Sequence, residues 1–262
     1  MKILRILTRK LREKIKLLRC LMLYLFSFLN QDGNKLVIVT GSDSSHYKSL
    51  CQFLSSLFLH EPKIKVIAYD LGLTESERQY IIANFPKAEI RLFDYSLYPD
   101  YFNIKTRAGE YAWKPVILYE VLNEFKCCVC WMDAGNLLIE PLFWLRIITR
   151  TLGMYSPYSL ETVSLWTHPK TLSFLNASSN ILAKRNLNGA CVSISYKNEK
   201  AQKLAERWKE YALIKECIAP EGSSRKNHRQ DQAVLSVIAH QSGITKNMPT
   251  GFYGFKHHKD IR

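Results

Sequence analysis

The 262-residue chain reads as an α/β protein: a single Rossmann-like sheet flanked by helices, preceded by a basic N-terminal helix. Three observations carry this reading. Residues 35 to 95 alternate strand and helix patterns in the order βαβαβ, which a compact chain resolves as neighbouring parallel strands joined by right-handed crossovers. Cys127 to Asn136 (CCVCWMDAGN) is an apolar run suited to a buried strand, broken by a carboxylate, a small residue and a glycine. With 47% hydrophobic and 12% aromatic residues and no low-complexity tract, the composition supports one sizeable core.

The elements follow in order. Asn30 to Asn34 (NQDGN) is a polar turn cluster, and Lys35 to Thr40 (KLVIVT) is the first strand, ending in Gly41-Ser42-Asp43-Ser44-Ser45. Ser44 or Ser45 is placed to cap a helix reaching His60, since Leu50, Phe53, Leu54, Leu57 and Phe58 keep the helical period. Ile64 to Asp70 is a second strand. Thr74 with Glu77 three residues on is a capping box opening a helix to about Phe85. Ala88 to Tyr95 is a third strand. An irregular aromatic loop, Tyr98 to Glu110, leads to Trp113-Lys114-Pro115, where the proline suits the first turn of a helix ending at Phe125. The Cys-rich fourth strand follows. Leu137 to Thr151 is partly helical and 152 to 190 is rich in loops. Cys191 to Tyr196 is a further strand, Glu199 to Tyr211 a helix, and the basic loop Glu221 to Arg229 precedes a helix over Ala233 to His240.

The net charge of +14 divides unevenly. Residues 1 to 30 hold eight Lys and Arg against Glu13 alone, a charge of +7, and the remaining +7 is spread too thinly over the rest to call for nucleic acid. Ile3, Leu4, Ile6, Leu7, Leu11, Ile15 and Leu18 lie at helical spacings among these bases, a pattern suited to a helix lying on an anionic membrane. Cys20 to Leu29 is apolar throughout but well short of the roughly 20 residues of a spanning helix. A helix packed on the domain or at an oligomer interface is a second reading, and a signal-anchor a third. Domain organisation is thus 1–30, an appended helix, and 35–262, the α/β unit, placed in the cytoplasm at the cytosolic face of a membrane. Seven cysteines, an odd number mostly in apolar contexts, point to reduced thiols rather than a disulfide framework.

Chemistry concentrates at strand ends. An acid following a buried strand sits where open α/β sheets bind ligands, so Asp133 with Ala134 and Gly135 suits the approach of a diphosphate; the competing role is that of a turn residue. The loop after the first strand has no glycine-rich phosphate fingerprint and is acidic, which suits a base or ribose. Lys114 falls at a helix N-terminus, where ammonium and backbone N–H groups favour a diphosphate. Asp231 reads either as a site carboxylate or as a helix cap ahead of Ala233.

Taken in order, LVIVTGSD, Tyr111-Ala112-Trp113-Lys114, Val129 to Gly135, Leu187-Asn188-Gly189-Ala190 and Arg229 to Leu235 resemble segments of a glycosyltransferase of the GT-A fold, in particular the family 8-like sugar transferases and an uncharacterised family related to them. The resemblance spans roughly residues 35 to 260. It implies a single GT-A-like mixed sheet flanked by helices and transfer of a sugar, with retention, from a nucleotide sugar donor to a glycan or lipid-linked acceptor. Thr40, Gly41, Asp43 and Asp70 would hold the nucleoside, and Lys114, Arg107 and Asp133 would flank the diphosphate. Asn188, Gly189, Asp231 and Gln232 would line the sugar site, the last two as catalytic residues. Mn²⁺ or Mg²⁺ would be held by Asp133 and His257. Gly135 stands where the family's Asp-x-Asp has its second carboxylate, so the metal site is expected to be incomplete, with Asn136 or His258 as further ligands or with Lys114, Arg107, Arg225 and Arg229 neutralising the diphosphate instead. Two other readings stay open: a binding or scaffold protein on a decayed transferase fold, and a nucleotidyltransferase, which would carry a basic glycine-rich loop that Gly41 to Tyr47 lacks.

Overall fold

The computed structural model describes residues 2–27 and 35–261, so the turn expected at Asn30 to Asn34 and the end of the apolar run at Phe28 and Leu29 lie outside the described residues. Ten strands and eleven α-helices are described. The strands are β1 (Leu36–Asp43), β2 (Lys65–Gly72), β3 (Ala88–Leu92), β4 (Cys128–Met132), β5 (Leu137–Leu138), β6 (Met154–Tyr155), β7 (Tyr158–Thr162), β8 (Arg185–Leu187), β9 (Cys191–Ser195) and β10 (Phe255–Lys256). The helices are α1 (Lys2–Ser27), α2 (Tyr47–His60), α3 (Glu75–Asn84), α4 (Trp113–Phe125), α5 (Phe143–Leu152), α6 (Val163–Trp166), α7 (Pro169–Phe174), α8 (Ser179–Leu182), α9 (Glu199–Ala212), α10 (Lys215–Ile218) and α11 (Gln230–Ser242).

Six strands form one sheet in the order β3-β2-β1-β4-β9-β6. β3, β2, β1 and β4 run parallel; β9 is antiparallel to both β4 and β6, which makes the sheet mixed. Because side chains alternate along a strand, each strand feeds two cores. Val37, Val39, Ile67, Val129 and Trp131 face α4, α9 and α11 on one side, while Leu36, Ile38, Val66, Ala68, Cys130 and Met132 face α2 and α5 on the other. Burial on both faces explains why these strands read as continuous apolar runs.

Local chemistry sets the element ends. The capping box of α3 is present: Thr74 Oγ1 accepts from Glu77 N at 3.3 Å and the Glu77 carboxylate accepts from Thr74 N at 2.8 Å. The cap expected at Ser44 or Ser45 is instead made by Asp43, whose carboxylate accepts from Ser45 N and opens a short 3₁₀ turn before α2. The last long helix starts earlier than its apolar period predicts, at Gln230, so Asp231 lies inside its first turn and is not the cap. Residues 154–187, expected as loop, hold three short strands and three short helices.

α1 lies against α5 and the second core. Cys20 and Tyr24 are buried, Glu13 accepts from Thr250 N at 2.8 Å, and Lys16 donates to the Met248 carbonyl at 2.9 Å. Among the described residues no helix is long and apolar enough to cross a membrane.

Candidate active site

The chain winds outward from β1 in two directions, to β2 and β3 on one side and to β4 and β9 on the other. The carboxyl ends of β1 and β4 therefore diverge at a topological switch point, where open α/β sheets place their ligands. A cavity of ≈ 550 Å³ lies there, floored by Gly41 to Asp43 from β1 and by Asp133 to Asn136 after β4. Its size falls within the roughly 300–1,000 Å³ of small-molecule sites.

Lys114 is its electrostatic centre. Carried on the first turn of α4, it is only 3% exposed, and its ammonium lies 3.0 Å from Asp133 Oδ1 and 3.3 Å from Asp231 Oδ2 while donating to the Gly189 carbonyl at 3.1 Å. One cation thus ties β4, α11 and the turn before β9 together. Burial works against the Lys114 charge, but the two carboxylates outweigh it and hold its pKa above the ordinary lysine value. Burial pushes the Asp231 carboxyl up to about 6, with the Lys114 ammonium opposing that rise. Trp131 Nε1 also donates to Asp133 Oδ1, at 2.6 Å. Both contacts of Asp133 therefore fall on one oxygen, and the side chain keeps 37% exposure where it lines the cavity.

The opposite rim is acidic. Asp43 Oδ1 accepts from Ser45 N and Ser45 Oγ and lies 3.2 Å from His46 Nδ1. Hydrogen bonding to Asp43 raises the His46 pKa, and the same pairing lowers that of Asp43.

A left-handed turn builds one wall. Arg107 to Tyr111 all have positive φ, between 48° and 60°. Such a run is costly for residues bearing a Cβ, and Gly109 accounts for its position: a Cβ there would lie 2.1 Å from the Phe102 carbonyl oxygen. Buried Glu110 holds the turn to the start of α11 by accepting from Gln230 Nε2 at 3.1 Å. The turn presents Tyr111, whose hydroxyl accepts from Arg225 and whose ring lies 5.2 Å from that guanidinium. Arg229 stacks 3.9 Å over Trp166 on the neighbouring wall. Two guanidinium groups with aromatic partners thus face the cavity.

Among the predicted site residues, Gly41, Asp43, Lys114, Asp133, Asn188, Gly189, Asp231 and Gln232 line this one cavity. Asn188 Oδ1 accepts from Ala190 N and shapes the turn, and Gln232 Oε1 accepts from Gly189 N. Four predicted residues are placed elsewhere. Thr40 is buried inside β1. Asp70 accepts from Gly72 N and Leu73 N and pairs with Arg78 at 2.9 Å, so its carboxylate is committed to the end of β2. Arg107 is 74% exposed and lines a second depression beside Lys170 and Lys215. His257 stacks on Phe252 at 4.2 Å, and its neighbour His258 takes the place on the cavity wall. Trp166, Ser159 and Asp260 join the site without a signal in local sequence, because long-range closure brings them there.

A divalent cation needs oxygen donors. Among the described residues no three His, Cys, Asp or Glu side chains converge as a closed metal cage. Asp133, Asn136 and Asp260 nevertheless bring two carboxylates and an amide oxygen to the same wall. That donor set fits a hard cation whose remaining ligands arrive with a diphosphate.

A family model described as a protein of unknown function (DUF1647) matches residues 10–119. No curated protein matches the chain. Among solved structures, the chain is similar to galactosyltransferase LgtC in complex with donor and acceptor sugar analogues, at 17% identity and TM-score 0.50 over 77% of this chain and 70% of that one. It is similar to core-mannan synthase A (CmsA/Ktr4) from Aspergillus fumigatus in a Mn/GDP form, at 9% identity and TM-score 0.51 over 87% of this chain and 76% of that one. The apo WbbM bifunctional glycosyltransferase aligns at 11% identity and TM-score 0.50 over 78% of this chain but only 37% of its own. The six-stranded mixed sheet with its flanking helices is the fold of the GT-A glycosyltransferases.

Proposed function

We propose that the protein is a glycosyltransferase that moves a sugar from a nucleoside diphosphate donor to a glycan or lipid-linked acceptor. The observation that carries this reading is the Lys114 bridge, which brings a strand-end carboxylate, a helix carboxylate and the Asn188-Gly189 turn to one cavity at the switch point of a GT-A fold. Asp43 with His46 stands on the nucleoside side. Arg225 and Arg229, aimed into the cavity, stabilise charge that develops on the departing diphosphate. Asp231, Gln232 and Asn188 line the sugar side, with Asp231 and Gln232 closest to the transferred group. Asp133 and its neighbours would hold Mn²⁺ or Mg²⁺, which would supply further positive charge at the leaving group. Retention of anomeric configuration is what the resemblance to family 8-like transferases implies, and the anomer of the product tests it directly.

Placement at the cytosolic face of a membrane rests on α1. Leu7, Leu11, Ile15, Leu18, Met22 and Leu25 are all exposed. At 3.6 residues per turn they form a stripe opposite the docked face of Glu13, Leu17, Cys20 and Tyr24, with exposed Lys10, Arg12, Lys14 and Arg19 beside it. A lipid-linked acceptor would lie within reach of such a surface.

A panel of nucleotide sugars tested by thermal shift, with and without Mn²⁺, checks the donor class. One sugar nucleotide should raise Tm and be hydrolysed or used in transfer, and Asp133→Ala should abolish turnover. Gly135 favours the rival reading of an inactive binding scaffold. Absence of any nucleotide binding at millimolar concentration with Mn²⁺ or Mg²⁺ would decide for that rival.

A further inference from the structure

Gly135 lacks the side chain that an Asp-x-Asp site needs, and the space beside it is not empty. An ideal Cβ built on Gly135 would come within 2.4 Å of Asp260 Oδ1 and 2.8 Å of its carboxyl carbon. The carboxylate of a residue 125 positions away in the chain occupies the place that a side chain at 135 would fill.

Both neighbours of Asp260 are anchored through their backbone N–H groups, which holds the main chain at Asp260 against the Gly135 turn. Lys259 N donates to the Gly135 carbonyl at 2.7 Å, and Ile261 N donates to Ser49 Oγ at 2.9 Å. Upstream, β10 pairs antiparallel with β5, Phe255 opposite Leu138, so the segment leaves the edge of the Asp133 turn and returns to it. Asp260 and His258 both line the cavity that holds Asp133.

A second observation points to a ligand. Asn136, fully buried in the same turn, donates through Nδ2 to the Ala190 carbonyl at 2.7 Å but leaves Oδ1 without a hydrogen-bond partner. A buried amide oxygen without a donor costs free energy unless something positive meets it, and Asn136 is among the residues that line the cavity with Asp133 and Asp260.

We propose that Asp260 supplies, from the C-terminal segment, the carboxylate that Gly135 lacks, so that Asp133 and Asp260 form a hard divalent-cation site with Asn136 Oδ1 and His258 beside them. The inference rests on the transferase reading for its diphosphate but not for the cation. It also gives Gly135 a reason: the position must stay free of a side chain because the carboxylate arrives from elsewhere. Two carboxylates and one amide oxygen leave coordination positions open, and these are the positions a diphosphate would take.

The test measures Mn²⁺ binding to the full chain by loss of the free-ion paramagnetic resonance signal, alone and with UDP or GDP, alongside Tm. Asp260→Asn keeps size and exposed position, and should weaken Mn²⁺ binding by at least about tenfold. Gly135→Asp alone should lower Tm, because the new carboxylate meets Asp260. The exchange Gly135→Asp with Asp260→Gly should recover both Tm and Mn²⁺ binding. Binding by Asp260→Asn within about twofold of the unaltered protein, or no Mn²⁺ binding by the unaltered protein with either nucleotide, overturns the proposal. Nucleotide binding that ignores both Mn²⁺ and Asp260→Asn would overturn it while leaving the transferase reading intact. Asp260-dependent Mn²⁺ binding with no affinity for any nucleotide would uphold the cation site and remove the transferase reading.

Discussion

Lys114 has three N–H donors and meets three acceptors, on Asp133, Asp231 and Gly189. Its ammonium is therefore spent on holding the site and is not free to grip a phosphate, the role its helix-terminal position suggests. Lys114→Met leaves two carboxylates facing each other, one of them buried, and breaking such a pair costs about 3–5 kcal/mol. Melting should show that loss, and adding Asp231→Asn should return part of the stability but none of the activity, which separates the packing role from the chemical one. Asp231 also sets a pH limb. With its carboxyl pushed up to about 6, it becomes protonated as pH falls through that value, so turnover should decline below about 6. A rate profile of wild type showing no acid limb between 5 and 7 on the pH scale, each limit taken as about half a unit, would sink the assignment of an ionised Asp231. His228 makes an opposite contribution, to folding. His168 N donates to its Nδ1 at 3.2 Å, so its Nε2–H donates to the Ile218 carbonyl at 2.8 Å and the buried ring is neutral. Burial lowers its pKa to about 4, whereas the unfolded chain takes up that proton near the usual value of 6.5. The unfolded state thus binds more protons between those values, and stability present above about 6.5 is lost as pH falls toward 4, by on the order of 2–3 kcal/mol. Comparing denaturant midpoints of wild type and His228→Gln across this window checks it: the acid-side slope should shrink in the variant.

The left-handed turn at Arg107 to Tyr111 is the element on which the site most depends. It aims Tyr111 at Arg225 and delivers the chain to Trp113 and Lys114 in the first turn of α4. Gly109→Ala would press a methyl against the Phe102 carbonyl, a backbone atom that cannot swing aside. A destabilisation above about 2 kcal/mol is expected, together with loss of activity larger than the stability loss explains. An unchanged Tm would show that the turn relaxes without strain. This turn was not legible in the sequence, because nothing in Arg-Ala-Gly-Glu-Tyr beyond one glycine marks five consecutive positive φ angles, and the contact of Glu110 with Gln230 that ties the turn down comes from 120 residues away. The Thr74 capping box was legible because its whole mechanism lies within four residues. The same distinction runs through the site. Asp133, Lys114 and Asp231 stand at strand and helix ends, where local pattern marks them, and the fold brings all three to one cavity. Asp70 stands at a strand end too, yet its own turn and Arg78 consume it. Strand direction was likewise hidden: β9 is buried on both faces, so its apolar run reads the same parallel or antiparallel.

At the scale of the molecule, the sheet divides the chain into two cores, and both chain ends attach to the second. The C-terminal segment closes over the Asp133 turn, and α1 lies along α5 with one face docked and the opposite face exposed. The exposed stripe has a defined relation to charge. Leu7, Leu11, Leu18 and Met22 run down its middle, each at least 48% exposed, with basic side chains on both flanks. An apolar stripe between cationic borders matches the two components of an anionic bilayer surface, acyl boundary and headgroups, whereas a second protein copy bearing the same +7 segment would meet it with like charge. The protein should therefore co-sediment with vesicles containing phosphatidylserine, weakly or not at all with pure phosphatidylcholine, and less as salt rises. Each basic residue near the surface contributes about 1 kcal/mol, so Lys10→Ala with Arg12→Ala should weaken the phosphatidylserine binding strongly and flatten its salt dependence. Leu11→Ser with Leu18→Ser should weaken binding while leaving the salt slope in place, since it removes the buried apolar area and none of the charge. None of these positions belongs to the docked face of Glu13, Cys20 and Tyr24, so Tm should stay near wild type. Equal binding to neutral and anionic vesicles, or a concentration-dependent dimer in solution that the leucine variant abolishes, would assign the stripe to another occupant.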